Sequence, residues 1–174
     1  MKLLFVCTGN ICRSPSAERL TAWYATRAGL SGLEVHSAGT RAMIGHPIHP
    51  YAARTLEQLG ADPTNFAARQ LSAAIASDAD LVITMTKAQR DDVVESAPQQ
   101  LHKTFMLSEI SRIASRYHPK DLSELAVLRP QLPTQDRFDV ADPIGRSQEF
   151  FDSVGTQIAD LVDPLVQLCV DHSA

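Results

Sequence analysis

No two cysteines in this chain are spaced as a Cys-x-x-Cys redox pair or as a zinc site, and only three occur among its 174 residues. Three thiols cannot all pair within one chain, so reduced cysteines are expected. Basic side chains are also in short supply. The 16 Lys and Arg face 20 Asp and Glu, a formal net charge of -4, which excludes nucleic-acid binding through a broad basic surface. Any phosphate chemistry must then be local. No apolar run approaches the length of a membrane span, and the opening run Leu3 to Val6 is too short for the apolar region of a secretory signal. A cytoplasmic protein with no membrane or nucleic-acid partner is expected. The chain also lacks internal repeats and low-complexity tracts. Its six histidines (His36, His46, His49, His102, His118 and His172) show no ligand spacing, so packing or surface roles are expected for them, with no metal.

What is present is ordinary globular material, 44% apolar and 21% charged, enough for one hydrophobic core and a single domain over 1–174. Apolar runs and helical patterns alternate. KLLFVC (2–7) reads as a strand buried on both faces, followed by the turn TGNICR. A helix then starts with Ser14 as its cap and Pro15 at its first position; Ala17, Leu20, Tyr24 and Ala28 form its inward face and Gly29 ends it. A second strand is expected at 33–37, a helix at 50–59, a third strand at 79–85 and a helix capped by Thr86. A fourth strand follows at KTFML, and then a helix from near Ser108. Three prolines interrupt the pattern within a stretch expected to be a surface insertion, around 112–135. A long amphipathic helix, roughly 147–170, closes the chain: Phe150, Phe151, Val154, Ile158, Leu161, Leu165 and Leu168 face inward, with Pro164 as a kink site. This order predicts an α/β fold of three layers, a central four-stranded, mostly parallel twisted sheet with helices on both faces.

In such a sheet, ligands bind outside the carboxyl ends of the strands. VCTGNICRSP (6–15) stands at that address, between the first strand and the first helix. A tight loop at a helix N-terminus turns its amides inward as an anion nest, and Gly9 and Asn10 tolerate the backbone angles a nest needs. Arg13 can offer a planar fork to two phosphate oxygens. Amide dipoles, helix terminus and Arg13 all stabilise negative charge on the sulfur of Cys7. A thiolate beneath a phosphate cradle is placed for in-line attack on phosphorus, and Ser14 can donate a hydrogen bond to the departing sulfur in the second step. Taken singly, each residue has a plainer reading: Cys7 and Cys12 as core, Arg13 as a surface side chain. Cys-x5-Arg-Ser-Pro at this place is far more specific than any of its parts.

VCTGNICRSPSAE, HSAGT (36–40), ARQLS (68–72), ADLVITM (79–85) and ADPIGRSQEFF (141–151) together resemble the low-molecular-weight protein tyrosine phosphatases, bacterial branch, over nearly all of the chain outside 112–135. The resemblance implies that Cys7 is the nucleophile and that Thr8, Gly9, Asn10, Ile11, Cys12 and Arg13 form the phosphate loop. It implies that Asn10 and Ser14 brace the loop with Ser37, and that Asp142 is the general acid. The leaving tyrosyl oxygen needs a proton, and an aspartic acid on a loop beside the phosphate is placed to give it. On residues alone, Asp136 and Asp139 compete with Asp142; the resemblance decides between them. It further implies a phosphotyrosine protein substrate, a bacterial tyrosine kinase among the partners, no cofactor, and an oxidative bridge between Cys7 and Cys12.

Some positions depart from the family pattern. Ile144 replaces the tyrosine that usually follows Asp-Pro, Phe66 replaces a supporting histidine, Thr86 an acidic residue, and His49 the Asp of an Asp-Pro-Arg. Met43, Ile44 and Ile144 are candidate walls of the substrate cleft. Phosphoarginine phosphatases of the family tend to carry threonine where Ile11 stands, which argues against that substrate. An arsenate reductase on this fold needs further thiols, and no cysteine lies between Cys12 and Cys169. A phosphoprotein-binding module without turnover is the remaining alternative, against which the pairing of Cys7 with Asp142 speaks.

Overall fold

β1 (Lys2–Cys7) runs through the middle of a fully parallel four-stranded sheet, between β2 (Glu34–Gly39) and β3 (Leu81–Thr84), with β4 (Thr104–Met106) beyond β3. The structure, a computed structural model, describes residues 1–171; His172 lies outside them. Cys7 pairs with Gly39, Val6 with Thr84 and Thr84 with Met106, so the carboxyl ends of all four strands line one edge.

Alternation along β1 sorts its side chains to two faces, as the two-residue period of a strand requires. Leu3, Phe5 and Cys7 join a large core with α1 (Arg13–Arg27), α2 (Pro50–Gln58), α5 (Leu107–Tyr117) and α7 (Gln148–Asp171). Leu4 and Val6 join a smaller one with α3 (Ala73–Asp78) and α4 (Lys87–Ser96). Both faces are covered, which is why β1 shows no polar alternation and reads as a continuous apolar run.

The structure bears out the sheet and the flanking layers, and it corrects local points. Ser14 caps nothing: α1 starts at Arg13, two residues before the expected Pro15, and the Ser14 hydroxyl is turned into the core. The inward face of α1 uses Thr21 and Ala25, whereas Ala28 lies past the helix end and is exposed. α3, capped by Ser72, lies in a stretch to which the sequence pattern assigns no element. Thr86 caps α4, with Gln89 completing a reciprocal pair of bonds. Within 112–135, residues 112–117 belong to α5, a further helix α6 (Leu122–Leu128) follows, and Leu125 and Leu132 are buried in the main core. Pro164 sits inside α7. Gly155 on α7 lets α2 approach closely, since a Cβ there would lie 2.4 Å from Thr55 Cγ2.

Candidate active site

The loop from Cys7 to Arg13 leaves the centre of the sheet edge and enters α1 directly, and the 40–49 segment is laid against its outer side. The main-chain N–H groups of Thr40, Arg41, Met43 and His49 donate to the carbonyls of Cys7, Thr8, Gly9 and Ile11 at 2.8–3.0 Å. With those carbonyls bound outward, the loop amides are left for the inner side; among the described residues none from Thr8 to Cys12 meets an acceptor. A ring of free N–H donors at a helix N-terminus suits an anion. Gly39 permits this stacking, because a Cβ there would lie 2.5 Å from the Thr8 carbonyl oxygen.

Asn10 holds the loop from below. It is fully buried in a left-handed conformation, φ 55°, and its side chain makes three bonds. Oδ1 accepts from Arg69 N at 2.9 Å, and Nδ2 donates to Ser14 Oγ and to Ser37 Oγ, both at 2.9 Å. Ser37 passes its own proton to Glu18 Oε2 at 2.6 Å. Ser14 Oγ lies 3.0 Å from Cys7 Sγ and 3.4 Å from the Ala38 carbonyl. The Ser14 hydroxyl accepts from Asn10 Nδ2 and stands within hydrogen-bond reach of both the sulfur and the Ala38 carbonyl, so it can donate to Cys7 once the sulfur is ionised.

Arg13 is buried beneath the rim of the loop. One terminal nitrogen donates to the Val140 carbonyl at 2.9 Å and the other to Asp142 Oδ2 at 2.6 Å. Asp142 is half exposed, and its Oδ1 accepts from Ile144 N at 3.1 Å, closing the Asp-Pro turn. Its rivals lie elsewhere: Asp139 caps the first amide of α4 through Lys87 N, and Asp136 faces Arg112 and Arg116. The segment carrying Asp142 is tied to the end of β3, since Val140 N donates to the Met85 carbonyl at 2.8 Å.

These groups open onto a cleft of about 270 Å³ lined by Cys7, Thr8, Gly9, Ile11, Cys12 and Arg13, with Arg41, Met43, Asp142 and Ile144 around it. Met43 and Ile144 thus reach the cleft, whereas Ile44, 70% exposed, is not part of its lining. Asn10, Ser14 and Ser37 stand behind the loop. Burial first, then the neighbouring Cys7 and Asp142, push the Cys12 thiol far up, and burial pushes that of Cys169 up to about 11. Cys7 and Cys12 are free thiols.

The departures from the family pattern find local explanations. His49 caps α2, its Nδ1 accepting from Tyr51 N at 3.2 Å, and its ring stacks on Phe151 at 4.8 Å. Phe66 lies under the guanidinium of Arg19; Glu18, on the turn of α1 after Ser14, bonds Ser37 instead. Sequence reasoning missed Glu18, Gln89 and the main chain of Arg69. Glu18 carried a signal in its i+4 spacing from Ser14, and Gln89 one in the Thr-x-x-Gln capping pattern of 86–89.

A family model described as low molecular weight phosphotyrosine protein phosphatase matches residues 2–124. The probable low molecular weight protein-tyrosine-phosphatase EpsP of Ralstonia nicotianae is 30% identical over 164 residues, 94% of this chain and 92% of that protein. Among solved structures, the YwlE arginine phosphatase from Geobacillus stearothermophilus superposes with a TM-score of 0.75 at 29% identity, covering 95% of this chain and 90% of its own. The Erwinia amylovora tyrosine phosphatase AmsI does so with a TM-score of 0.74 at 27% identity, covering 95% and 91%. The chain belongs to the low molecular weight phosphotyrosine protein phosphatases.

Proposed function

We propose that this protein hydrolyses phosphotyrosine in proteins through a cysteinyl-phosphate intermediate on Cys7. The Cys7 sulfur attacks phosphorus in line, the bond from phosphorus to the tyrosyl oxygen breaks, and Asp142 gives that oxygen its proton. Water then attacks the phosphocysteine, the sulfur-phosphorus bond breaks, and the Asp142 carboxylate takes the water's proton. The free amides of the loop and Arg13 hold the equatorial oxygens, where charge is concentrated in both transition states. Arg13 remains anchored by the Val140 carbonyl while its contact with Asp142 gives way to the bound phosphoryl group.

One observation carries the reading: a serine hydroxyl oxygen 3.0 Å from the Cys7 sulfur, able to donate to it once the thiol is ionised, directly under unpartnered amides. A donor there stabilises the attacking thiolate and the sulfur as leaving group. A protein that only binds phosphate has no use for it. The phosphotyrosyl partner, a bacterial tyrosine kinase among the candidates, and a cytoplasmic location complete the proposal; among the described residues no helix is long and apolar enough to cross a membrane.

Turnover of para-nitrophenyl phosphate in the presence of a chelator, abolished in Cys7→Ser, is the expected result. Rates on phosphotyrosine and phosphoarginine peptides then assign the substrate, with phosphotyrosine the faster. Reduction of arsenate in place of ester hydrolysis would refute the proposal.

A further inference from the structure

Gln89, in the first turn of α4, is buried, and every polar atom of its side chain is engaged. Oε1 accepts from Met85 N and from Thr86 N, both at 3.1 Å. Main-chain N–H groups can only donate, so the amide orientation is fixed and Nε2 has to face Thr8 Oγ1, to which it donates at 3.1 Å. Thr8 follows the nucleophile and lines the cleft. Its hydroxyl oxygen therefore receives a proton from below, while its own proton meets no acceptor among the described residues.

We propose that Gln89 is a positioning residue that keeps the Thr8 hydroxyl proton free for a non-bridging oxygen of the bound phosphoryl group. Thr8 thus adds a side-chain donor to the ring of loop amides. A hydroxyl can rotate, and without a fixed donor behind it the proton would be drawn to whatever acceptor lies nearest; the Gln89 amide supplies only a donor on that side. The capping pair of α4 has a second use here: the same two residues that start the helix, Thr86 and Gln89, set the polarity of a bond to the phosphate loop. The inference rests on the phosphatase reading for its ligand, but its test does not require turnover.

Orthophosphate binding is titrated calorimetrically in the wild type, Thr8→Val, Thr8→Ser, Gln89→Glu and the Thr8→Val/Gln89→Glu double variant, alongside para-nitrophenyl phosphate turnover. Gln89→Glu retains acceptors for Met85 N and Thr86 N, so α4 stays capped, but it attracts the Thr8 proton. Thr8→Val weakens phosphate binding about tenfold, the scale of one hydrogen bond to a charged acceptor, and Thr8→Ser restores it to within about twofold. The added negative charge of Gln89→Glu acts in both backgrounds, so the diagnostic quantity is the difference. Its effect should be about fivefold smaller in Thr8→Val than in the wild type. Unchanged phosphate affinity in Thr8→Val, or the same effect of Gln89→Glu in both backgrounds, overturns the inference. A wild type that binds phosphate without turning over the ester overturns the phosphatase reading alone.

Discussion

The main-chain N–H of Arg69 donates to Oδ1 of Asn10 at 2.9 Å, and that bond sets the direction of both hydrogen bonds that Asn10 Nδ2 makes beneath the phosphate loop. Because the N–H has only a proton to offer, Oδ1 is the acceptor and Nδ2 must donate to Ser14 and Ser37. Ser14 accepts from Nδ2 and keeps its own proton available for an ionised Cys7 sulfur. A residue 59 positions away in sequence thus orients the group beside the nucleophile.

Asn10→Asp tests that polarity. The carboxylate can still accept from Arg69 N but cannot donate, so the Ser14 proton is drawn from the sulfur to the new acceptor. We expect kcat on para-nitrophenyl phosphate to fall about 10- to 100-fold with a native circular dichroism spectrum. A wild-type kcat would show that the direction of these bonds does not matter.

Ser14→Ala removes the donor to sulfur outright while leaving the loop amides in place. A loss of at least about tenfold in kcat is expected, with a smaller change in KM, because the bond matters most when sulfur carries charge. Steady-state kinetics reads the split directly.

Thiol reactivity separates the cysteines. Since Cys12 is pushed far up and Cys169 to about 11, both remain protonated thiols at neutral pH. Iodoacetamide at pH 7 should label Cys7 alone, and orthophosphate should block the reaction; peptide mapping identifies the labelled residue.

Packing of α2 on α7 is tested by Gly155→Ala. The new methyl would meet Thr55 Cγ2 at 2.4 Å and force the two helices apart, for a loss of about 1–3 kcal/mol in unfolding free energy. Chemical denaturation measures it. Kinetics per folded molecule should change little.

The same contact carries a pH signature. Asp152 accepts from Thr55 Oγ1 at 2.6 Å and from Gln148 Nε2 at 2.8 Å, and these bonds hold its carboxyl below the ordinary aspartate value. A lowered folded-state value adds stability above the unfolded value of about 3.9, which disappears as pH falls through the folded one. The melting temperature of the wild type should exceed that of Asp152→Asn near neutrality, and the gap should close as pH drops below about 4.

How much of this was legible in the sequence depended on the range of the interaction. β1, its loop and α1 could be read because strand, turn and helix signals lie within about 25 consecutive residues, and Thr86 was a recognisable cap for the same reason. Ser14 was misread as a cap because Ser before Pro is a normal cap signal, while its hydroxyl lies against Cys7 and Asn10, the neighbours the loop motif had suggested for it. Arg69 and Val140 could not be found, because they act through main-chain atoms, which any residue supplies; Gln89 was legible as the capping partner of Thr86 but not in its bond to Thr8 across 81 positions. The sequence between 112 and 135 hid α6 because Pro119, Pro130 and Pro133 flank a helix of only seven residues, too short to show a period.

The most direct measurement is mass spectrometry of enzyme quenched in acid during turnover of para-nitrophenyl phosphate. The account predicts one phosphoryl group on the peptide that contains Cys7, absent from Cys7→Ala. Turnover in that variant, or a phosphoryl group on any other residue of the working enzyme, would contradict it.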